Sequence, residues 1–466
     1  MGKFSFRIPD DLPTDWSSAL DGAWLANAYD HWPVPFASSR SGVHLTFERR
    51  ERESAILVLA LPTSHGARAI ATSTLMPNGD SYQLLPELAR GLLNRIRNVV
   101  SGFASAGLTL PSDLDRTARR LSSDFGSLVT APASAEKDAL GVRAIRDAIG
   151  LTDLLGDHLA ELRLKSRRES QGPLPLRFGC LVNRPLTERE TALYCDAFNA
   201  VQIAPKWSAI EPNESEFGWS SVDPILEWAA STNLAVSIGP IINFSGNSLP
   251  GWIRNGPSDV PSLAALMTDY VGAIVDRYRN SVRSWQIVSG LNCREAFGLD
   301  DEERLRLASR LLEFARAIDP QANCNYALEQ PYGEYLRDDA RNYSPVAFAD
   351  TLLRNGHGDA RITLSLDESR PFGCFEFWRL LDGFESLNSQ LEIELGGLMD
   401  QADHSLELAL VKGAMSTRSV GAIFWQNWSS ERADRGKQYS ALYDTRKNEP
   451  TPLLGEFRSL RQRLLG

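Results

Sequence analysis

Acidic side chains lie at the ends of strand-like apolar runs in the second half of this sequence. Glu394 lies within the run Gln390–Leu395, and Glu329 comes directly after the run Asn323–Leu328. Two carboxyl groups held close together can supply a nucleophile and a proton donor for one reaction. A solvated or ion-paired carboxylate is the alternative interpretation of each acid, and the sequence alone leaves it open.

Aromatic side chains occur near the same strand ends. Flat rings with polar edges suit stacking against sugar faces, so these residues indicate a binding surface. The alternative is that some of them fill the core, which is the better interpretation of Trp285 inside a strand run and Trp228 inside a helical run. The candidates for the binding surface are Trp207, Trp252, Tyr332, Tyr335, Trp425 and Trp428.

Composition argues against several other classes of function. A formal net charge of -10 disfavours a nucleic-acid partner, which would require a basic surface. The six histidines lack metal-ligand spacing and no glycine-rich nucleotide motif occurs, so we expect no metal and no cofactor. No apolar stretch is long enough to span a bilayer. Five cysteines without close pairs, and an N-terminus unlike a signal peptide, predict a cytoplasmic location.

Changes in hydrophobic period divide the first part of the chain. Residues 1–82 contain alternating runs separated by Pro, Gly, Asp and Ser, which predict a small antiparallel, β-sandwich-like domain. Residues 83–168 have apolar residues at three- and four-residue spacing and predict a helical connector segment. Residues 169–175 contain two prolines and a glycine and predict a linker.

Residues 176–466 alternate eight short apolar runs with eight amphipathic helical runs. This order predicts an α/β fold of the (β/α)₈ TIM-barrel type. In such a barrel, binding and chemistry take place at the C-terminal ends of the strands. The predicted strands are Arg177–Val182, Asn199–Ala204, Leu234–Ile241, Arg283–Ser289, Asn323–Leu328, Arg361–Leu366, Gln390–Leu395 and Gly421–Gln426.

The strand junctions of this predicted barrel resemble those of family-10 glycoside hydrolases. The matching motifs are Lys206-Trp207 with Glu211-Pro212, Leu249-Pro-Gly-Trp252, Trp285-Gln-Ile-Val-Ser-Gly290, Glu392-Ile-Glu-Leu395 and Gly421-Ala-Ile-Phe-Trp425. The resemblance covers the barrel and none of residues 1–170. It implies a retaining, endo-β-1,4-xylanase-like fold that binds a β-linked glycan, with Glu394 as nucleophile. The candidate substrate-binding residues are Gln202, Lys206, Trp207, Trp252, Tyr332 and Trp425.

The resemblance ends at the family's general acid and base. That family closes strand 4 with Asn-Glu, and this sequence has Ser289 and Gly290 there. Retaining hydrolysis needs two carboxyl groups about 5–5.5 Å apart, and losing the acid costs ~10²–10⁴-fold. Hydrolysis is therefore expected to be lost or strongly impaired unless another carboxylate replaces the acid. Glu329 is the best placed substitute because strand ends point into the site. Glu295, Asp367 and Glu368 are further candidates.

Two functions remain open from the sequence. The first is a carbohydrate-active barrel that binds a β-linked glycan, with or without hydrolysing it. The second is a non-catalytic scaffold or partner-binding module built on a degenerate glycosidase barrel, a pseudoenzyme. The fold does not decide between them, because one fold supports many functions and each function depends on its site.

Overall fold

The chain divides into two compact units in the computed structural model. The structure describes residues 1–466 except 30, 64–65, 245–247, 257–258, 293–296, 333–343, 367–372, 397–403, 430–440 and 466. The first unit contains Met1–Leu162 and the described parts of two short later segments, around Tyr332 and Cys374. The second unit contains most of the remaining chain, from Arg163 onward.

The first unit combines two small sheets with helices. Alternating burial along β1 places Phe4 and Phe6 in a core that also contains Leu57 from a strand and Leu88 and Leu155 from helices. The predicted β-sandwich-like segment and helical segment therefore share one core. The elements are β1 Gly2–Arg7, α1 Thr14–Asp21, β2 Trp24–Asn27, β3 Ala37–Ser41, β4 His44–Arg49, β5 Ala55–Thr63, β6 Gly66–Ala71, β7 Ser81–Gln83, α2 Leu84–Ser105, α3 Ser112–Thr130 and α4 Ala135–Gln171.

The sequence pattern missed four short elements of this unit: α1, β2, β3 and β7. Strand β3 is exposed at all five positions, so its residues show no alternation between apolar and polar side chains. It is defined instead by its antiparallel pairing with β4 in a four-stranded sheet of order β3-β4-β1-β7. The other sheet has the order β2-β5-β6. Helix α4 ends at Gln171, inside the predicted linker.

The second unit is a closed barrel of eight parallel strands, as the sequence predicts. Each strand pairs in parallel with the next, and the pairing of Ser237 with Ser284 closes the ring between the third and fourth strands. The strands are β8 Arg177–Val182, β9 Ala200–Ile203, β10 Ala235–Ile238 with its short continuation β11 Ile242–Asn243, β12 Ser284–Ser289, β13 Asn323–Leu328, β14 Arg361–Leu366, β15 Leu391–Leu395 and β16 Val420–Trp425.

Helices follow the strands, as the alternating pattern predicts. Capping boxes begin two of them, formed by Thr187 with Glu190 and by Asp300 with Glu303, and each satisfies backbone N–H groups of the first turn. The helices are α5 Glu188–Ala197, α6 Trp207–Ile210, α7 Asp223–Ser231, α8 Gly251–Arg254, α9 Val260–Tyr278, α10 Asp301–Ile318, α11 Pro345–Leu352, α12 Cys374–Glu385, α13 Ser405–Ser416 and α14 Pro452–Leu464, with a short strand pair β17 Tyr443–Asp444 and β18 Glu449–Pro450 before the last.

The third barrel strand ends earlier than predicted, because the backbone turns at Gly239. This residue has a φ of 144°, and a Cβ atom there would lie 2.3 Å from the carbonyl oxygen of Gln286. Only glycine permits this approach of the third strand to the fourth at the mouth of the barrel.

Among the described helices, none is both long and apolar enough to cross a membrane.

Candidate active site

Glu394 projects into the barrel from β15. It lies in register between Ser365 of β14 and Phe424 of β16, and it is 5% exposed. Side chains alternate across a strand, so Glu394 and Glu392 share the inner face while Ile393 packs outward. The position near the end of the seventh strand is the one that the sequence predicted for a catalytic carboxylate.

Two glutamine amides converge on this carboxylate. The Nε2 groups of Gln202 and Gln286 donate to Oε1 of Glu394 at 2.6 and 2.9 Å. The three residues belong to the second, fourth and seventh strands, which are not neighbours, so their side chains meet inside the barrel. Gln426, just after the eighth strand, donates from Nε2 to the side-chain Oε1 of Gln202 at 2.8 Å and extends the network towards the mouth.

Burial raises the pKa of Glu394 above the ordinary glutamate value, and the nearby charge of Glu392 acts in the same direction. Hydrogen bonds from Gln202, Gln286 and Ser365 oppose this shift because they favour the ionised form. The carboxylate is thus held by donors but poorly solvated. A buried, oriented carboxylate of this kind suits nucleophilic or proton-transfer chemistry.

We expect Glu394→Gln to raise the free energy of unfolding at pH 8 by about 1 kcal/mol. With a raised pKa, the folded state holds the proton more tightly than the unfolded state, so the stabilisation from protonation is lost as pH rises through that pKa. Gln removes the cost of burying a charge, and its amide can donate to Oε1 of Gln286, a buried acceptor without a partner among the described residues.

Urea unfolding at pH 5 and pH 8 measures this effect. The advantage of the variant should shrink as the pH approaches the ordinary value of 4.5, below which the carboxyl group is neutral in both states. The exposed Glu456→Gln on α14 is the matched control and should show no such pH dependence. Equal stability of Glu394→Gln and the wild type at pH 8 would show that the charge is well accommodated.

Glu329 lies where the fifth strand ends and contacts the end of the fourth. Its Oε1 accepts from the hydroxyl of Ser289 at 2.8 Å, while its backbone N–H and C=O bond to the side chain of Asn292. The next residue after Ser289 is Gly290, with a φ of 83°. The half-buried Glu329 carboxylate therefore lies beside the end of the fourth strand, where the family resemblance predicts the general acid.

The position of Trp207 near a strand end predicted a substrate-binding ring, and this prediction is wrong. The ring is buried and cannot stack on a ligand. Its side chain is 1% exposed, its ring stacks on Tyr270 with 4.3 Å between centroids, and its Nε1 donates to Glu211 at 2.6 Å. Trp252 is half-buried and donates from Nε1 to the carbonyl oxygen of Glu211 at 3.2 Å. The Lys-Trp and Glu-Pro motif therefore fixes the loop after β9, while Lys206 beside it is exposed.

Three other predicted ring positions also require correction. Trp425 faces outward, where its ring lies 5.4 Å from Phe457 of α14 in an edge-on contact. Trp428 is buried and donates from Nε1 to Glu190 at 3.2 Å. Tyr332 belongs to the first unit, where its ring meets Trp24 edge-on at 5.9 Å. All three rings therefore pack against other side chains of the protein.

A small opening of about 100 Å³ lies at the C-terminal ends of the first, second and eighth strands. Its lining includes Asn183, Ala204 and Gln426. Sequence reasoning missed Gln426 and Gln286. Strand alternation could have predicted the inward position of Gln426. Ala422 and Phe424 face inward, so the next inward position is 426.

Other predicted acids lie outside the described residues: Glu295, Asp367 and Glu368, as does the aromatic candidate Tyr335. Within the part of the chain that the structure describes, no group of three or more His, Cys, Asp or Glu side chains could hold a metal ion.

Comparison with known proteins finds similarity to glycoside hydrolases. Residues 167–307 match the family model described as Glycosyl hydrolase family 10, and this segment includes Gln202, Lys206 and Gln286. The first half of the barrel is thus similar to glycoside hydrolase family 10. The match ends before the fifth strand and so does not include Glu329 or Glu394.

Curated proteins similar to this chain include several xylanases. Endo-1,4-beta-xylanase A of Fusarium oxysporum is 33% identical over 167 residues, which cover 33% of this chain and 48% of that protein. Endo-1,4-beta-xylanase 3 of Hypocrea jecorina is 28% identical over 160 residues, covering 32% of this chain and 44% of the relative. The chain spans less than half the length of these relatives.

Solved structures extend the similarity of fold to the whole barrel. Native xylanase 10B from Thermotoga maritima matches with a TM-score of 0.52 at 16% identity, covering 64% of this chain and 98% of that one. Xylanase 10B from Thermotoga petrophila, in complex with xylobiose, matches with the same TM-score and identity over 65% of this chain. At this identity the likeness establishes the fold alone.

Proposed function

We propose that this family-10 barrel binds a β-linked glycan of the xylan type and cleaves it slowly with retention of configuration, using Glu394 as nucleophile. The observation that supports this proposal is the buried Glu394 carboxylate, held by the amides of Gln202 and Gln286 at the C-terminal end of the barrel. Curated xylanases among its relatives favour a xylan-type ligand.

In the proposed reaction, a carboxylate oxygen of Glu394 forms a bond to the anomeric carbon as the bond to the leaving oxygen breaks. Glu329 gives its proton to that oxygen and then takes one from the water that releases the sugar. The geometry that favours Glu329 is its hydrogen bond to Ser289 at the end of the fourth strand. With Gly290 in place of a glutamate, ordinary hydrolysis would depend on this substitute acid.

Gln202 and Gln286 position the nucleophile in this proposal. The N–H groups of Gln202 and Gln286 orient the nucleophilic oxygen and favour its ionised form, against the desolvation that raises the pKa. A nucleophile must be ionised, so turnover should fall as the pH drops below this raised pKa. The acid limb of the pH profile would then lie above the ordinary glutamate value.

Binding of the glycan is tested without turnover by titrating xylohexaose into the protein and measuring the heat. We expect saturable binding that Lys206→Ala weakens about tenfold, because the exposed ammonium group beside the mouth can donate to sugar hydroxyls. Lys165→Ala on α4, where the ammonium group lies 4.0 Å from Glu169, is the matched control and should bind like the wild type.

Cellohexaose serves as the comparison ligand of equal length. Tighter binding of cellohexaose than of xylohexaose would contradict the xylan assignment. No saturable binding of either sugar would contradict the carbohydrate proposal and favour the scaffold alternative.

We also propose that the protein works in the cytoplasm. None of the four described cysteines, Cys180, Cys195, Cys324 and Cys374, forms a disulfide bond, and three of them are buried. Free thiols are typical of reducing compartments. A cytoplasmic barrel would act on oligosaccharides taken up by the cell.

A further inference from the structure

A second pocket lies at the opposite end of the barrel from Glu394. It has a volume of about 460 Å³ and is lined by residues at the beginnings of the strands, among them Pro175, Ala235, Asn323 and Gln390. Seven of the eight strands contribute residues at or just before their first positions. This volume falls within the range of small-molecule sites in proteins, which is roughly 300–1,000 Å³.

Five arginines line this pocket. They come from separate elements: Arg167 from the end of α4, Arg177 and Arg361 from the first positions of β8 and β14, and Arg283 and Arg418 from the residues before β12 and β16. None of the described lining residues is Asp or Glu. Glu392 is buried and pairs with both Arg177 and Arg361.

Among the described residues, Glu392 therefore offsets the charge of two of the five guanidinium groups. Burial, together with the neighbouring charge of Arg177, lowers the pKa of Arg361, and Glu392 only partly offsets this. The concentration of positive charge contrasts with a chain whose formal net charge is -10. Like charges brought together with too few counter-charges are unfavourable, so the cluster is best explained by an anion that binds there.

Among the described residues, no acidic side chain pairs with Arg167. Its side chain is buried, and its Nη1 donates to the carbonyl oxygens of Met415 and Thr417, both at 2.7 Å. Burial lowers its pKa, and the other charged group acting on it is Arg418, a like charge. A buried guanidinium held by neutral carbonyls is fixed in place while its charge remains available to a ligand.

We propose that this arginine pocket binds a small phosphate-bearing anion, with two or more phosphate groups. Guanidinium groups form paired, charge-assisted hydrogen bonds with phosphate oxygens, and their planar forks suit them to this ligand class. The pocket admits a ligand larger than a single phosphate, and five cations converging from different strands match a ligand with several negative charges. This proposal does not depend on the glycan site.

Calorimetric titration of the full chain with inorganic pyrophosphate at constant ionic strength tests the proposal. We expect saturable binding that weakens about tenfold in Arg283→Gln and in Arg418→Gln, and about a hundredfold in the double variant. These two arginines are exposed, and the side chain of Arg283 donates only to the backbone carbonyls of Arg279 and Val282 among the described contacts, so the variants should fold normally. Thermal unfolding of each variant without ligand checks this.

Arg306→Gln is the matched control, since Arg306 is an exposed arginine of α10 that pairs with Glu302 outside the pocket. It should bind pyrophosphate like the wild type. The proposal is overturned by the absence of saturable binding to the wild type, by unchanged binding in the double variant, or by an equal loss in the control. Citrate binding as tight as that of pyrophosphate would overturn the assignment to a phosphate ligand.

Discussion

Glu394→Gln should reduce turnover of an activated aryl β-xyloside by about 10³-fold or more, because the amide has the shape of the carboxylate but no charged oxygen to attack the anomeric carbon. A dinitrophenyl leaving group departs without protonation, so this substrate tests the nucleophile separately from the acid. The variant keeps the shape of a side chain that Gln202 and Gln286 already hold, so the loss should be in kcat rather than in folding.

The pH profile of kcat/KM gives an independent measure of the same group. Burial raises the pKa of Glu394, so the wild-type rate should fall with decreasing pH at a higher pH than an exposed glutamate would produce. Glu456→Gln, on the outer face of α14, should leave both rate and profile unchanged. A Glu394→Gln variant as active as the wild type would assign the nucleophile elsewhere, and inactivity of both proteins on the aryl xyloside would exclude the hydrolase proposal.

Glu329→Gln should have an effect that depends on the leaving group. We expect a loss of ~10²–10⁴-fold on xylohexaose, whose leaving sugar hydroxyl must be protonated, and a much smaller loss of bond cleavage with the dinitrophenyl xyloside. The structural basis is the position of the Glu329 carboxylate, bonded to Ser289 at the end of the fourth strand. Initial rates on the two substrates give the ratio that identifies a proton donor.

Ser289→Ala tests the positioning of this acid. Removing the hydroxyl that donates to Glu329 should lower the xylohexaose rate about tenfold and the aryl xyloside rate little, the same pattern in weaker form. Glu313→Gln, an exposed carboxylate of α10, is the matched control. Equal losses on both substrates in Glu329→Gln would show that Glu329 supports the structure of the mouth and does not transfer a proton.

Much of the barrel could be predicted from the sequence because its elements are encoded locally. Strands such as Asn323–Leu328 and Arg361–Leu366 have the observed bounds, since short apolar runs between helical periods specify a parallel strand. The third strand was predicted too long, as far as Ile241. The turn at Gly239 depends on the approach of the Gln286 backbone, a contact that no local pattern shows.

The aromatic predictions were wrong for a related reason. Strand alternation decides the face on which a side chain lies, so Trp425 packs outward against Phe457 while the adjacent Phe424 faces the interior. Trp207 lies just beyond a strand, but its ring is enclosed by Tyr270 and Glu211, which come from a later helix and the next loop. Proximity to a strand end predicted the neighbourhood of these rings correctly and their exposure incorrectly.

The sequence by itself determined the order of the eight β/α units, the family resemblance and the placement of Glu394 near the end of the seventh strand. Only the tertiary structure decided which side chains meet. Closing the barrel brings Gln202 and Gln286 onto Glu394, sets Glu329 beside Ser289, and gathers five arginines spread between positions 167 and 418 around one pocket. Local patterns fix the period of each strand, whereas contacts across the barrel depend on its closure and on which face each residue occupies.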